Sequence, residues 1–171
     1  IFIYLSISLT LLPGCGDLPQ FIEPHADVTA PQTYNRDGLQ FKYPGNWKVQ
    51  VEKDGVLGWG VPQVNVSSPS TSSVIIHVFP AEDAYSLKDF GDKMWRASVP
   101  GAILSDSNRT KISEEDGFEV MTDHFSVRIF DETLTHQRVM RRKQVDDKVL
   151  FVTSQVATDD FNRRPGLPIE L

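Results

Sequence analysis

A single cysteine, Cys15, stands in this chain of 171 residues, so no disulfide framework can form within it. No uncharged run reaches the ~20 residues needed to cross a bilayer as a helix, and Ile1–Leu12 falls well short. Positive charge is scarce as well. Seventeen Lys and Arg against 23 Asp and Glu give a net charge of −6 and a pI near 5.1. That balance is the reverse of the basic footprint of a nucleic-acid-binding domain, and no nucleic-acid partner is expected. Catalytic signatures are also missing. There is no Gly-x-Ser-x-Gly elbow, no Gly-x-x-x-x-Gly-Lys phosphate loop and no His-Glu-x-x-His zinc helix. Gly58-Trp59-Gly60 lacks the third glycine of a dinucleotide fingerprint and leads into no helix.

What is present begins at the N-terminus. Leu9-Thr10-Leu11-Leu12-Pro13-Gly14-Cys15 is an apolar run ending in a small residue before the one cysteine. This resembles the lipobox of a bacterial lipoprotein, with residues 1–14 as a signal peptide whose n-region is missing. The reading makes Cys15 the lipidation site and leaves the mature chain without a thiol. A zinc-thiolate site and a cysteine nucleophile are then excluded. Acyl chains on Cys15 would hold the protein on a membrane without spanning it. The expected location is the cell envelope, on the periplasmic or outer-membrane face. Pro19, Pro24 and Pro31 space out an aperiodic polar stretch, so 15–33 reads as a lipidated tether and 34–171 as one folded domain.

From Tyr34 onward short alternating runs are separated by turn residues. Leu39–Tyr43 and Trp47–Val51 flank Pro44-Gly45-Asn46, which predicts a hairpin. In Val74–Phe79 the residues Val74, Ile76 and Val78 point one way and Ile75, His77 and Phe79 the other. Both faces are mostly apolar, so this strand should be covered on both sides. Leu87, Phe90, Met94 and Ala97 mark one face of a helix, with Ser86 as its cap and Asp89 three residues later. Three longer strands follow, over Phe118–Phe130, Thr133–Lys143 and Val149–Ala157, the last two joined at Asp146-Asp147. Glu114-Glu115-Asp116-Gly117 likewise reads as a solvated acidic turn. Short connections imply an antiparallel meander.

The segment Phe41-Lys42-Tyr43-Pro44-Gly45-Asn46-Trp47, after the glycine at 38, resembles the opening of the PsbP family, which includes DcrB-like bacterial lipoproteins. The resemblance implies an α+β fold, an α/β/α sandwich around a central, mostly antiparallel sheet. The final helix of that fold would be short or missing here, because Pro165, Gly166 and Pro168 stop what Thr158–Arg164 begins. The last strand should then leave Leu150, Val152 and Val156, or Val149 and Phe151, exposed. In function the resemblance implies a lipid-anchored, non-catalytic binding or accessory protein at a membrane surface, with a protein partner and no cofactor. In an oxygenic phototroph that role would be accessory to photosystem II in the thylakoid lumen.

Tyr43 and Trp47 are expected in the core rather than in a ligand groove. Arg138, Arg141, Arg142 and Lys143 form the one basic cluster. They read either as charges protecting an edge strand or as a partner-binding surface for an acidic protein or anionic headgroups. The alternative functional reading is a metal-binding or enzymatic envelope protein. It would use His124 and His136, brought together by a hairpin beside Asp131 and Glu132. His25 falls in the tether, and no metal ligand is assigned.

Overall fold

A computed structural model describes residues 26–53, 59–70, 72–97, 103–129 and 132–157. The expected signal peptide, Cys15, His25, Asp131 and the Thr158–Arg164 segment lie outside the described residues.

The expected α/β/α sandwich does not form. The chain is mostly β, with a single α-helix among the described residues. Among the described residues ten strands form a two-stranded sheet and an eight-stranded sheet, and every pairing is antiparallel. The small sheet holds β1 (Gln32–Arg36) and β2 (Leu39–Tyr43). The large sheet contains β3 (Lys48–Glu52), β4 (Gln63–Ser67), β5 (Ser73–Pro80), β6 (Ile103–Arg109), β7 (Ser113–Glu115), β8 (Phe118–Ile129), β9 (Glu132–Val145) and β10 (Lys148–Ala157). Its order is β3-β4-β5-β10-β9-β8-β6, and β7 also pairs with β8. Two meanders, β3-β4-β5 and β8-β9-β10, are thus joined where β5 meets β10. The link between them contains α1 (Leu87–Ala97).

Turn chemistry explains the tight connections. Asp37-Gly38 and Asp116-Gly117 both hold positive φ at each residue, the requirement of a type I′ hairpin turn. Asp146 takes positive φ at the β9–β10 turn. At the helix start the Ser86 hydroxyl accepts from the Asp89 backbone N–H at 3.1 Å and donates to the Asp89 carboxylate at 2.7 Å. This is the capping arrangement that the sequence predicts.

The two-faced reading of β5 is realised. One face of the sheet carries Phe79, Val149, Phe151, Met121 and Met140, packed against Leu87, Phe90 and Met94 of α1. Phe90 stacks on Phe151 with ring centroids 4.1 Å apart. Gly91 permits this closeness, since a Cβ there would meet Met121 Cε at 2.5 Å. The opposite face carries Val64, Val66, Val74, Ile76 and Val152, and among the described residues no helix lies on it. Tyr34, Phe41 and Trp47 lie on it, so the β1–β2 ribbon and the segment after it form the third layer. A sheet with two apolar faces demands two covers, and the sequence does not dictate that both be helical.

Two further expectations change. The turn at Pro44–Asn46 exists, with the Trp47 N–H bonded to Pro44 O, but its flanking strands do not pair. It carries the chain from one layer to the other, and β2 pairs back to β1 while β3 pairs onward to β4. The last strand does not expose its apolar residues. Val149, Phe151, Val152 and Val156 are all buried: Val149 and Phe151 lie in the helix-side core and Val152 in the ribbon-side core. The fold also reaches back before Tyr34. Asp27 takes the Gly45 N–H on its carbonyl oxygen and donates its own N–H to Asn46 Oδ1, lacing residues 26–31 onto the turn.

Trp47 is only 6% exposed and packs in the ribbon-side core, as expected of it. Trp47→Ala should therefore lower stability by ~3–5 kcal/mol in chemical unfolding. A loss under ~1 kcal/mol would contradict its place in that core.

Candidate functional site

Charged side chains cross the helix-side face of the sheet in one row. Asp123 interrupts the apolar face of β8, and Arg138 sits opposite it on β9. Both are buried. Arg109 at the end of β6 donates through Nε and Nη2 to the two oxygens of Asp123, at 2.6 and 3.1 Å, and through Nη1 to Asp92 on α1. One guanidinium therefore ties the helix to two strands. Hydrogen bonds from Lys88 and Arg109 hold the Asp92 carboxyl below the usual carboxylate range. The bond to Asp123, more than burial, sets the balance at Arg109 and keeps it firmly protonated. Arg138 donates through Nε and Nη2 to Gln155 Oε1 on β10, both at 3.1 Å, and lies 4.8 Å from the centre of the Phe125 ring. Burial lowers the proton affinity of Arg138, and Asp123 partly restores it.

The basic cluster is therefore not one surface. Alternation along β9 turns Arg138 and Arg142 towards the helix side and Arg141 and Lys143 away from it. Arg142 bonds Glu119 at 2.8 Å and the Tyr85 carbonyl at 3.1 Å. Lys143 lies over the Phe118 ring at 4.9 Å, and Arg141 is half-buried. The edge-strand reading is corrected outright, since β9 runs inside the sheet between β8 and β10.

The His124–His136 alternative is likewise corrected. In the β8–β9 register His124 faces Gln137, whereas His136 faces Phe125. The two histidines thus sit on opposite faces of the sheet. His136 stacks on Phe125, 5.5 Å between centroids, and His124 is exposed. Among the described residues no group of His, Cys, Asp or Glu is arranged to hold a metal.

His77 heads a second polar chain. It is 1% exposed, within reach of the Trp59 and Phe90 rings. Its Nε2 lies 3.2 Å from Gln63 Oε1, Gln63 Nε2 donates to Asn65 Oδ1 at 2.6 Å, and Asn65 Nδ2 donates to Glu52 Oε1 at 3.0 Å. The consistent donor sense places the proton of neutral His77 on Nε2. Burial drives its pKa down to about 4.

The ribbon side offers something different, a cleft of about 470 Å³. Val64, Ile76 and Val78 form its floor, and Tyr34 and Leu39 of the ribbon form one wall. Val51 and the Gly60–Pro62 segment form another. Its lining is mostly apolar, with Arg36, Asp37, Glu82, Asp147 and Lys148 at the rim. Apolar depth with a few polar groups at the mouth is the make-up of a ligand-binding pocket. Sequence reasoning missed it because five separate segments build it. Tyr43, the other groove candidate, instead donates its hydroxyl to Gln32 Oε1 at 2.8 Å and packs against the core.

The buried His77 makes stability depend on pH in a defined window. The unfolded imidazole protonates near 6.5 and the folded one only near 4, so the unfolded state binds more protons between them. Stability should therefore fall as pH drops through that interval, by roughly 3 kcal/mol in all. Burial shifts His136 in the same direction, so His77→Gln should flatten most of the slope without abolishing it. Denaturant midpoints at stepped pH check this, and an unchanged slope in the variant would contradict it.

No family model matches the chain, and no curated protein does. Two solved structures are distantly similar to the chain. The solution structure of cyanobacterial PsbP (CyanoP) from Synechocystis sp. PCC 6803 is 18% identical at a TM-score of 0.48, over 89% of this chain and 90% of that one. The crystal structure of PA94 from Pseudomonas aeruginosa, a protein of unknown function, is 13% identical at 0.34, over 78% and 87%. Neither score reaches one half, and neither likeness establishes a family for this chain.

Proposed function

We propose that this chain is a non-catalytic binding or accessory protein, held at a membrane surface by a lipid on Cys15. The cleft beneath the β1–β2 ribbon is where it takes an apolar group of its partner. The observation that carries this reading is the contrast between the two faces of the sheet. On the helix side Arg109, Asp123 and Arg142 hold one another or neighbouring groups within the fold. On the ribbon side an apolar-lined space of about 470 Å³ opens to solvent. Binding without chemistry needs shape and dry surface more than poised charges.

The lipobox pattern of Leu9–Cys15 supports an envelope location, and an acyl anchor needs no membrane-spanning segment. No helix among the described residues is long and apolar enough to cross a membrane. Arg141 and Lys143, on the ribbon-side face of β9, are the members of the basic cluster left to steer an acidic partner. In an oxygenic phototroph the PsbP-like Phe41–Trp47 segment supports an accessory role at photosystem II.

Two measurements test the proposal. In cells that export the chain, Cys15→Ser should abolish acyl labelling and release the protein from membranes. Labelling that persists would remove the anchor. For the cleft, the uncharged apolar dye N-phenyl-1-naphthylamine should bind at one saturable site. Val78→Trp on the floor, or Leu39→Trp on the wall, should weaken it about tenfold, ~1.4 kcal/mol. Undiminished dye binding by both variants, each with unchanged circular dichroism, would overturn the cleft as the binding site.

A further inference from the structure

Among the described residues the large sheet ends in two strands of different character. At one end the pairing of β6 with β8 breaks register between Ser105 and Asn108. Such an irregularity blunts an edge against further pairing. At the other end β3 pairs with β4 in unbroken register, from Lys48 opposite Ser67 to Glu52 opposite Gln63. No bulge or proline interrupts Lys48-Val49-Gln50-Val51-Glu52. Lys48 and Gln50 are exposed, and Val51 is 39% exposed, which is high for a valine in a regular strand.

The order of residues on β3 narrows the choice of partner. We infer that β3 is a homodimer contact, pairing antiparallel with β3 of a second copy about a twofold axis at Gln50. In that register Lys48 lies opposite the second copy's Glu52, and Val49 opposite its Val51. Gln50 lies opposite itself. Opposite charges meet at both ends and aliphatic side chains meet on the other face, each a favourable cross-strand pair. Self-complementarity of one patch is the requirement of a twofold contact. The side chains of Lys48, Gln50 and Glu52 share the helix-side face with Asn65 and Gln63; Asn65 of β4 occupies one Glu52 oxygen, and the other is left for Lys48 of the second copy. A contact one short strand wide is small, so the dimer is a weak one, forming at high local concentration. A membrane surface supplies that condition.

The test uses the full chain with Cys15→Ser, so that an introduced thiol stands alone. Gln50→Cys should cross-link to its own copy under mild oxidation, because directly opposite Cβ atoms lie about 4.5–5.5 Å apart, close to disulfide reach. Lys48→Cys should not, since in this register two residues 48 lie at opposite ends of the contact. Sedimentation equilibrium of the protein with Gln50 intact should show concentration-dependent dimer. Lys48→Glu, which puts like charges opposite at both ends, should weaken that dimer several-fold while the fold persists. A monomer at millimolar concentration, or cross-linking of Lys48→Cys as efficient as that of Gln50→Cys, would overturn the inference.

Discussion

Strand β5 has no polar face to turn to water, and the architecture follows from that constraint. Its Ile75 and Phe79 belong to the helix-side core, and its Val74 and Ile76 to the ribbon-side core. A strand of this kind needs covered faces and paired edges on both sides. β4 and β10 supply the pairing, while α1 and the β1–β2 ribbon supply the covers. The two covers differ in quality. The helix packs closely, with Gly91 over Met121 and the Phe90 ring stacked on Phe151. The ribbon leaves a cleft over Val64, Ile76 and Val78.

The helix-side charges show how a mostly apolar layer accommodates ionised groups. Removing one partner of a buried pair leaves an uncompensated charge, which is far costlier than the pair itself. Arg109 engages Asp92 and Asp123 together, and Arg138 is held by Gln155 and the Phe125 ring. Each contact joins a different pair of elements: helix to strand, β6 to β8, β9 to β10. These groups therefore fix how the elements sit relative to one another. In this respect they resemble a set of keyed joints more than a reactive centre.

Much of the fold was legible where the signal is local. The Ser86 cap, the Leu87–Phe90–Met94 stripe, the acidic turns and the two-faced β5 all depend on neighbours in sequence, and all are realised. The errors share one cause, which is that local pattern does not encode pairing partners. Pro44–Asn46 announces a turn but not that β2 and β3 leave it in different layers. The arginines of β9 announce charge but not that β9 lies inside the sheet. A register places His124 opposite Gln137 and His136 opposite Phe125, and that parity divides the two histidines between faces. Given the same register, the Asp123–Arg138 juxtaposition was readable as a carboxylate that interrupts the apolar face of β8 and meets an arginine on β9. The cleft was not readable, because no contiguous stretch contributes more than a few of its residues.

The pairing of β5 with β10 also governs how the chain reaches this state. Pro80 lies opposite Lys148 and Ser73 opposite Gln155, residues far apart in sequence. Contacts of that separation form late, because the closure entropy of the intervening chain must be overcome before they are made. A chain emerging N-terminus first completes β3-β4-β5 long before β10 exists. Over that interval the edge of β5 is unpaired and its apolar side chains are incompletely covered, the condition under which partly folded chains aggregate. The yield of folded protein therefore depends on how long this edge stays open before the last strand arrives.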